Sequence, residues 1–474
     1  MSEETKPPSN HNAGMDMTQG HIGRNLIKFA IPMLVGSALQ TAYAIVNTIW
    51  VGNGLGKDAV AAMAVSFPII FFLMAIAGGL TLASSILVSQ SYGAKNYARM
   101  KQVIHNSLFL TLCFSCLLVF AGHVTAYPLL KIMGTPPGVM PMAKNYLQIF
   151  IWTIPFMFIM FLYMATLRGV GDSITPLYFQ AAGVILTGIL DPFLMFGWLF
   201  FPRLGLNGTA WATIITNALG VITLILYLQH KKHIVNPDWK HVRADFPTSW
   251  LTIKLGVPTM VQQALVSLGM LTIMGLINEY GENGIAAFGI AMRIDQLAFL
   301  PSMTIGMAAS TLAGQNIGAK RYDRVHDVFR WGLLYGVGMT SIVTLLCLTV
   351  PHFLLRFFVK DPVVIHLGEN YLRIIGGGYL LLAVLFLSNG VINGAGHTFA
   401  TTFFSLVALW IVRIPLAAYF SHHMHRLEGI WIAMVISFAI GTSLSCTYYL
   451  LGWWKKPVGK LFSKTPEPEI NLAK

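Results

Sequence analysis

Of the eighteen acidic residues in this chain, only Asp191 and Asp295 fall well inside long apolar stretches. Asp191 sits in Gly188-Ile189-Leu190-Asp191-Pro192, with no basic residue nearby in sequence. A charge at the centre of a bilayer costs about 2.5–3.5 kcal/mol even on insertion scales, so a carboxyl kept there is a candidate for function. The chemistry it offers is reversible proton binding, which removes the buried charge. The bland alternative is a carboxylate satisfied by helix-terminal amides near Pro192. Asp295 has Arg293 two residues away, a spacing that puts them on different helix faces. Its structural reading is therefore pairing across helices, with Arg413 as one possible partner.

Other chemistries lack their patterns. The tripeptide Gly93-Ala94-Lys95, repeated at Gly318-Ala319-Lys320, invites a phosphate-loop reading, but no strand precedes it and the spacing of a true P-loop is missing. Each glycine is expected to end a helix, with the basic residues anchoring a loop. Cys113 and Cys116 have CxxC spacing with no second ligand pair, so packing outweighs metal binding. His422, His423 and His425 read as a polar loop, and Asn207-Gly208-Thr209 is a sequon at a helix edge. With no paired carboxylates and no nucleophile with its base, the chain reads as no enzyme, without metal or cofactor.

The elements that must position these residues are long and apolar. The chain is 55% hydrophobic and 10% charged, against roughly 25% charged for a soluble domain. Twelve apolar spans run between residues 26 and 453, each longer than the roughly 20 residues that cross a bilayer as a helix. The fold class is an all-α integral membrane protein. Prolines recur within the spans, and Pro32 and Pro258, in the first span of each half, are the best hinge candidates.

The net charge of +13 is unevenly placed: with both termini cytoplasmic, inner segments hold 21 of the 31 Lys and Arg and outer loops hold 8. That is the positive-inside asymmetry of a multi-pass protein of the cytoplasmic (inner) membrane. The basic residues lie in separate loops without interleaved aromatics, so no nucleic-acid partner is expected. Residues 1–23 form a polar tail read as disordered, with no cleavable signal peptide.

The spans are duplicated. Gln90 to Val103 (QSYGAKNYARMKQV) returns 225 residues later as Gln315 to Val328 (QNIGAKRYDRVHDV), with seven of fourteen positions identical. Asn145-Tyr146-Leu147 falls on Asn370-Tyr371-Leu372, and Gly169 and Gly171 fall on Gly394 and Gly396. This divides the chain into an amino-terminal six-helix lobe (24–229), a cytoplasmic linker (230–250), a carboxy-terminal six-helix lobe (251–454) and a basic cytoplasmic tail (455–474). Six spans is an even number, so both lobes insert alike and their pseudo-twofold axis runs along the membrane normal.

Several segments carry a resemblance to the multidrug and toxic compound extrusion (MATE) transporters of bacterial type. They are Pro32 with Asn47-Thr48-Ile49-Trp50-Val51-Gly52, Arg168-Gly169-Val170-Gly171-Asp172, Leu190-Asp191-Pro192, Gly314-Gln315-Asn316-Ile317-Gly318-Ala319 and Arg413-Ile414-Pro415. The resemblance covers about residues 20–455. It implies two six-helix lobes around a central cavity and export of amphiphilic, often cationic compounds, driven by inward proton or sodium flow. Asp191 then matches the family's fifth-helix aspartate, Gln40 a first-helix glutamine and Thr213, more weakly, a sixth-helix threonine.

Two positions depart from the family pattern. Asn47 stands where a first-helix aspartate is usual, and Thr187 where an asparagine commonly precedes the fifth-helix aspartate. An Asn cannot titrate, although its carbonyl can still coordinate a cation.

The expectation is a proton-coupled antiporter, with sodium the lesser alternative, whose cation-coupling set is Asp191, Asn47, Gln40, Thr187 and Thr213. Asp295, Arg293, Gln263 and Asn389 are secondary candidates. Its partners are a small amphiphilic substrate and membrane lipids, and a monomer suffices. A second reading keeps the fold and changes the cargo to a lipid-linked or metabolite molecule, because Asn47 removes one carboxylate that would attract drug cations.

Overall fold

The computed structural model describes residues 14–456 other than 200, 237, 239–241 and 243. Pro237, Lys240, Arg243, residues 1–13 and tail residues 457–474, Lys460 and Lys464 among them, lie outside the described residues.

Regular structure among the described residues is wholly helical. The helices are α1 (Ile22–Leu55), α2 (Lys57–Gly93), α3 (Tyr97–Ile132), α4 (Met140–Ile151), α5 (Ile154–Gly169), α6 (Ile174–Phe196), α7 (Leu206–His230), α8 (Phe246–Asn278), α9 (Gly281–Gly318) and α10 (Tyr322–Thr349). They continue with α11 (Pro351–Arg356), α12 (Pro362–Gly394), α13 (Thr398–Leu406), α14 (Ile414–Met424) and α15 (Glu428–Leu450). Eleven stretches are long and apolar enough to span singly, and α4 with α5 make a twelfth, bent by 49°. The bend precedes Pro155, which has no N–H to bond back into α4. A π-helical segment, Val407–Arg413, joins α13 to α14 directly before Pro415; such bulges cluster at functional sites.

Hydrocarbon offers no hydrogen bonds, so the chain closes its backbone bonds within helices and leaves polar residues for the ends. Several acids are used there as caps. Asp172 Oδ1 accepts from the Ile174 and Thr175 amides (3.0 and 2.9 Å), Asp245 from Thr248 (3.1 Å) and Asp361 from Val363 (2.8 Å). The two repeat loops fold alike: Lys95 and Lys320 both take positive φ, 56° and 59°. The Asn96 amide bonds the Ser91 carbonyl, and the Arg321 amide bonds the Asn316 carbonyl.

Helices α1–α7 pack around two apolar clusters, one of which also takes in Leu251 and Leu255 at the start of α8, and α8–α15 pack around another. A further cluster is shared: Met17, Ile22, Leu26 and Phe29 pack with Ile305, Leu312, Val325 and Val391 of the second lobe. Between the lobes, α2 meets α8 and α9 while α1 meets α9 and α10. All of this lies toward the linker end, where α7 leads into α8. Residues 14–21, which composition assigns to a disordered tail, are packed here from Gly14 onward, and Met17 and Thr18 are buried. Their contacts are made largely by the backbone, which a polar composition does not betray.

The glycines of the repeated tripeptide do end α2 and α9, but the left-handed position falls to the lysines. Gly93 is there for contact. A Cβ on it would strike the Gln315 carbonyl, and one on Gly318 would strike the Gln90 carbonyl. Gly93→Ala is therefore expected to destabilise the protein by about 1–3 kcal/mol through overpacking. Gly338→Ala, at a helical position facing open space, is expected to be neutral or stabilising by up to about 1 kcal/mol. Thermal unfolding of the two variants in detergent checks the opposite signs.

Candidate functional site

Asp191 lies in the last turns of α6, fully buried. Its Oδ2 accepts a hydrogen bond from the Tyr43 hydroxyl of α1 at 2.7 Å. Asn47, one turn further along α1, donates from Nδ2 to the same Tyr43 oxygen at 3.2 Å. The remaining oxygens of this chain of bonds, Asp191 Oδ1 and Asn47 Oδ1, are buried and have no hydrogen-bond partner among the described residues. Tyr146 of α4 stands beside Asp191 with Thr209 next to its hydroxyl. A carboxyl with one oxygen held and one free can take a proton or face a cation without first breaking a protein bond. A buried carboxylate oxygen without a protein partner costs about 1–3 kcal/mol, and such a group calls for an explanation, of which a functional role is one.

The other expected members of the set are placed less directly. Thr187, one turn before Asp191, spends its hydroxyl on the Gly183 carbonyl (2.8 Å). Thr213 bonds the Thr209 carbonyl (2.8 Å). Gln40 is exposed on α1. The structure thus joins Asp191 and Asn47 through Tyr43, keeps Thr187 on the same helix, and leaves Gln40 and Thr213 outside the bonded group.

The second lobe has its own buried carboxylate. Asp295 of α9 accepts from the Tyr371 hydroxyl at 2.5 Å and also from Tyr379, both on α12. The Arg413 pairing expected as its structural reading is absent among the described residues. Arg413 Nε donates to Ser437 Oγ (2.7 Å), and its guanidinium lies 4.9 Å from the centre of the Phe438 ring. Two phenols satisfy both Asp295 oxygens, so no second charge is needed. Arg293 and Gln263 are exposed; Asn389 Oδ1 accepts from Ser445 at 2.7 Å.

The tyrosines were the missed residues. Tyr146 and Tyr371 occupy matching repeat positions, so a tyrosine beside the buried acid is a shared device, although the acids come from different helices. The Asn-Tyr-Leu repeat was a visible signal for these two. Tyr43 had none, being one aromatic among many in a span.

At the linker end the repeat becomes a lock between lobes. Gln90 Nε2 of α2 donates to the Gly394 carbonyl at 2.8 Å. Its repeat mate, Gln315 of α9, donates from Nε2 to the Gly169 carbonyl at 3.0 Å. Gly169 and Gly394 are themselves repeat mates, so each glutamine reaches the same place on the other lobe. Gln315 Oε1 also accepts the Met17 amide (2.9 Å). The strap of residues 14–21 continues across the seam: Gly14 O accepts from Tyr92 of the first lobe (2.9 Å). On the other side, Thr18 O accepts from Arg321 (2.7 Å) and Gly20 O from Arg324 (2.9 Å). Among the described residues, the hydrogen bonds joining the lobes all lie at this end.

Comparison with known proteins identifies the ancestry of the duplication. The MatE family model matches twice, over residues 32–193 and 258–419. The probable multidrug resistance protein YoeA of Bacillus subtilis is 32% identical over 445 residues, spanning 93% of this chain and 96% of that protein. The probable multidrug resistance protein NorM of Thermotoga maritima is 26% identical over 443 residues, spanning 92% and 94%. A solved structure described as the outward-facing conformation of a multidrug resistance MATE transporter superposes with a TM-score of 0.87. It covers 95% of this chain and 100% of that one at 20% identity. The bent form of the Vibrio cholerae transporter VcmN gives 0.84, over 90% and 96% at 20% identity. Such identities speak for the fold.

Replacing both lock residues, Gln90→Leu with Gln315→Leu, leaves the Gly394 and Gly169 carbonyls without their partners. Each loss costs about 1–3 kcal/mol in a buried setting. The expected outcome is a second, longer interlobe distance between spin labels at the linker end, where the unmodified protein shows one.

Proposed function

Because this chain belongs to the MatE family, we propose that it is a secondary active exporter, a proton-coupled antiporter of amphiphilic, often cationic compounds. The observation that carries this reading is Asp191: a fully buried carboxyl with one oxygen bound to Tyr43 and the other free. Names of its relatives point to drug export, and their cargo class is proposed here for this chain. Sodium is the lesser alternative, since Asn47 replaces a carboxylate that would strengthen a sodium site.

The basic residues concentrated in the linker and repeat loops support an orientation with the linker end in the cytoplasm and the protein in the inner membrane. On that orientation both termini are cytoplasmic, and lobes whose hydrogen bonds, among the described residues, lie at the linker end form an outward-open state. Inward opening requires parting the Gln90 and Gln315 locks.

Helix α1 connects the two events. Its far half carries Tyr43 and Asn47, while its near end, Ile22 to Phe29, is buried in the cluster shared by the lobes. Pro32 lies between them. A carboxylate acceptor makes the Tyr43 bond about twice as strong as a neutral one. A proton on Asp191 weakens that bond and releases α1 from α6, and Pro32, lacking a backbone donor, lets the helix flex at one point. The strain reaches the linker end through α1 itself.

The decisive measurement is efflux from proteoliposomes under separately imposed proton and sodium gradients. Asp191→Asn is expected to abolish proton-driven efflux while substrate still binds. Tyr43→Phe is expected to slow it at least about tenfold, the loss of about 1.4 kcal/mol of coupling. Wild-type rates from Asp191→Asn would remove Asp191 as the coupling group, and sodium-driven efflux insensitive to pH would replace the proton in this scheme.

A further inference from the structure

At the linker end a cavity of about 340 Å³ opens between the start of α1, the start of α6 and the end of α7, with the strap as one wall. Two lysines line it: Lys28 from α1 and Lys231 from the end of α7. Neither has an ion pair or hydrogen-bond partner among the described residues. The acid in the cavity, Asp172, is already engaged. One oxygen caps α6 and the other lies 3.8 Å from His233 Nε2. Burial lowers the pKa of His233 below the ordinary value, with Asp172 opposing. Asp172 keeps its charge, but its oxygens face the α6 amides and His233. The cavity therefore carries a net positive charge from the two lysines against one carboxylate, and Tyr227 completes the lining.

Two unpaired ammonium groups and a phenol around a cavity of this size suit a phosphate group. The surface below the cavity says which kind. Ile174, Tyr178 and Ile185 are exposed along one face of α6, and Leu219, Ile222 and Leu226 along the adjoining α7. These spacings make an apolar stripe on each of the two packed helices, the one on α6 beginning at the cavity with Ile174. A free phosphate has no use for them, whereas a lipid does. Basic pockets between helices at the cytoplasmic surface are a recognised form of headgroup site.

We infer that this cavity binds the phosphodiester headgroup of an anionic phospholipid in the cytoplasmic leaflet, with Lys28 and Lys231 holding the phosphate and the α6–α7 stripes taking the acyl chains. The leaflet rests on the orientation proposed above; the chemistry of the site does not. The lipid touches the gate as well. Gly14 and Met15 form part of the cavity wall, and the strap they begin runs across to Gln315, Arg321 and Arg324. A headgroup in place packs the strap against the first lobe and favours closure at the linker end.

Native mass spectrometry of the full chain released from nanodiscs of equimolar phosphatidylglycerol and phosphatidylcholine tests this without reference to transport, so failure of the proton scheme would leave the result intact. The expected result is selective retention of phosphatidylglycerol. It should be weakened about thirtyfold by Lys28→Ala with Lys231→Ala, since each basic contact contributes about 1 kcal/mol. Lys28→Arg with Lys231→Arg should retain it. So should Lys101→Ala with Lys320→Ala, a pair at the same end that does not line the cavity. Equal retention by the first and third pairs would overturn the site. Displacement of the lipid by millimolar inorganic phosphate would overturn the lipid as its occupant.

Discussion

Hydrocarbon solvates neither a carboxylate nor an unpaired amide, and most of this structure follows from that one fact. It forces the backbone into long helices, moves Asp172, Asp245 and Asp361 to helix starts, and leaves only Asp191 and Asp295 deep within spans. Each of those two is met by tyrosine hydroxyls, which donate a hydrogen bond while adding no charge. Where the same medium meets the closed end, the lobes join through amide-to-carbonyl bonds backed by an apolar cluster.

Duplication explains the scaffold and not the site. Tyr146 and Tyr371 hold matching positions, yet the acids beside them come from α6 in one lobe and α9 in the other. In the second lobe both oxygens of Asp295 are occupied. In the first, Asp191 keeps one free. An oxygen already bonded resists change, and a free one invites it, so the two carboxylates divide naturally into a fixed and a responsive member.

Much of the architecture was legible before any coordinates. Spans, repeat and the exceptional status of Asp191 follow from hydropathy and register, because lipid penalises departures from them along the whole chain. The repeated tripeptide marks Gly93 and Gly318 as helix ends, but their closeness to the opposite glutamines depends on how two lobes meet, which no local pattern encodes. Tyr43 escaped because an aromatic in an apolar span looks the same whether it packs or donates. The strap escaped because its bonds come from backbone groups that every residue possesses. Gln40 and Thr213 were carried by resemblance, and here one is exposed and the other satisfied by its own helix.

The crossing of α2 and α9 has the form of an isologous dimer interface: Gly93 lies against Gln315 as Gly318 lies against Gln90. Between two separate copies of a half-length chain, every substitution at such a seam would be felt twice, which restrains change. Fusion into one chain removes that restraint. Gln315 makes a second bond, to the Met17 amide, that Gln90 lacks among the described residues. Covalent linkage thus leaves such a surface free to differ between its two sides.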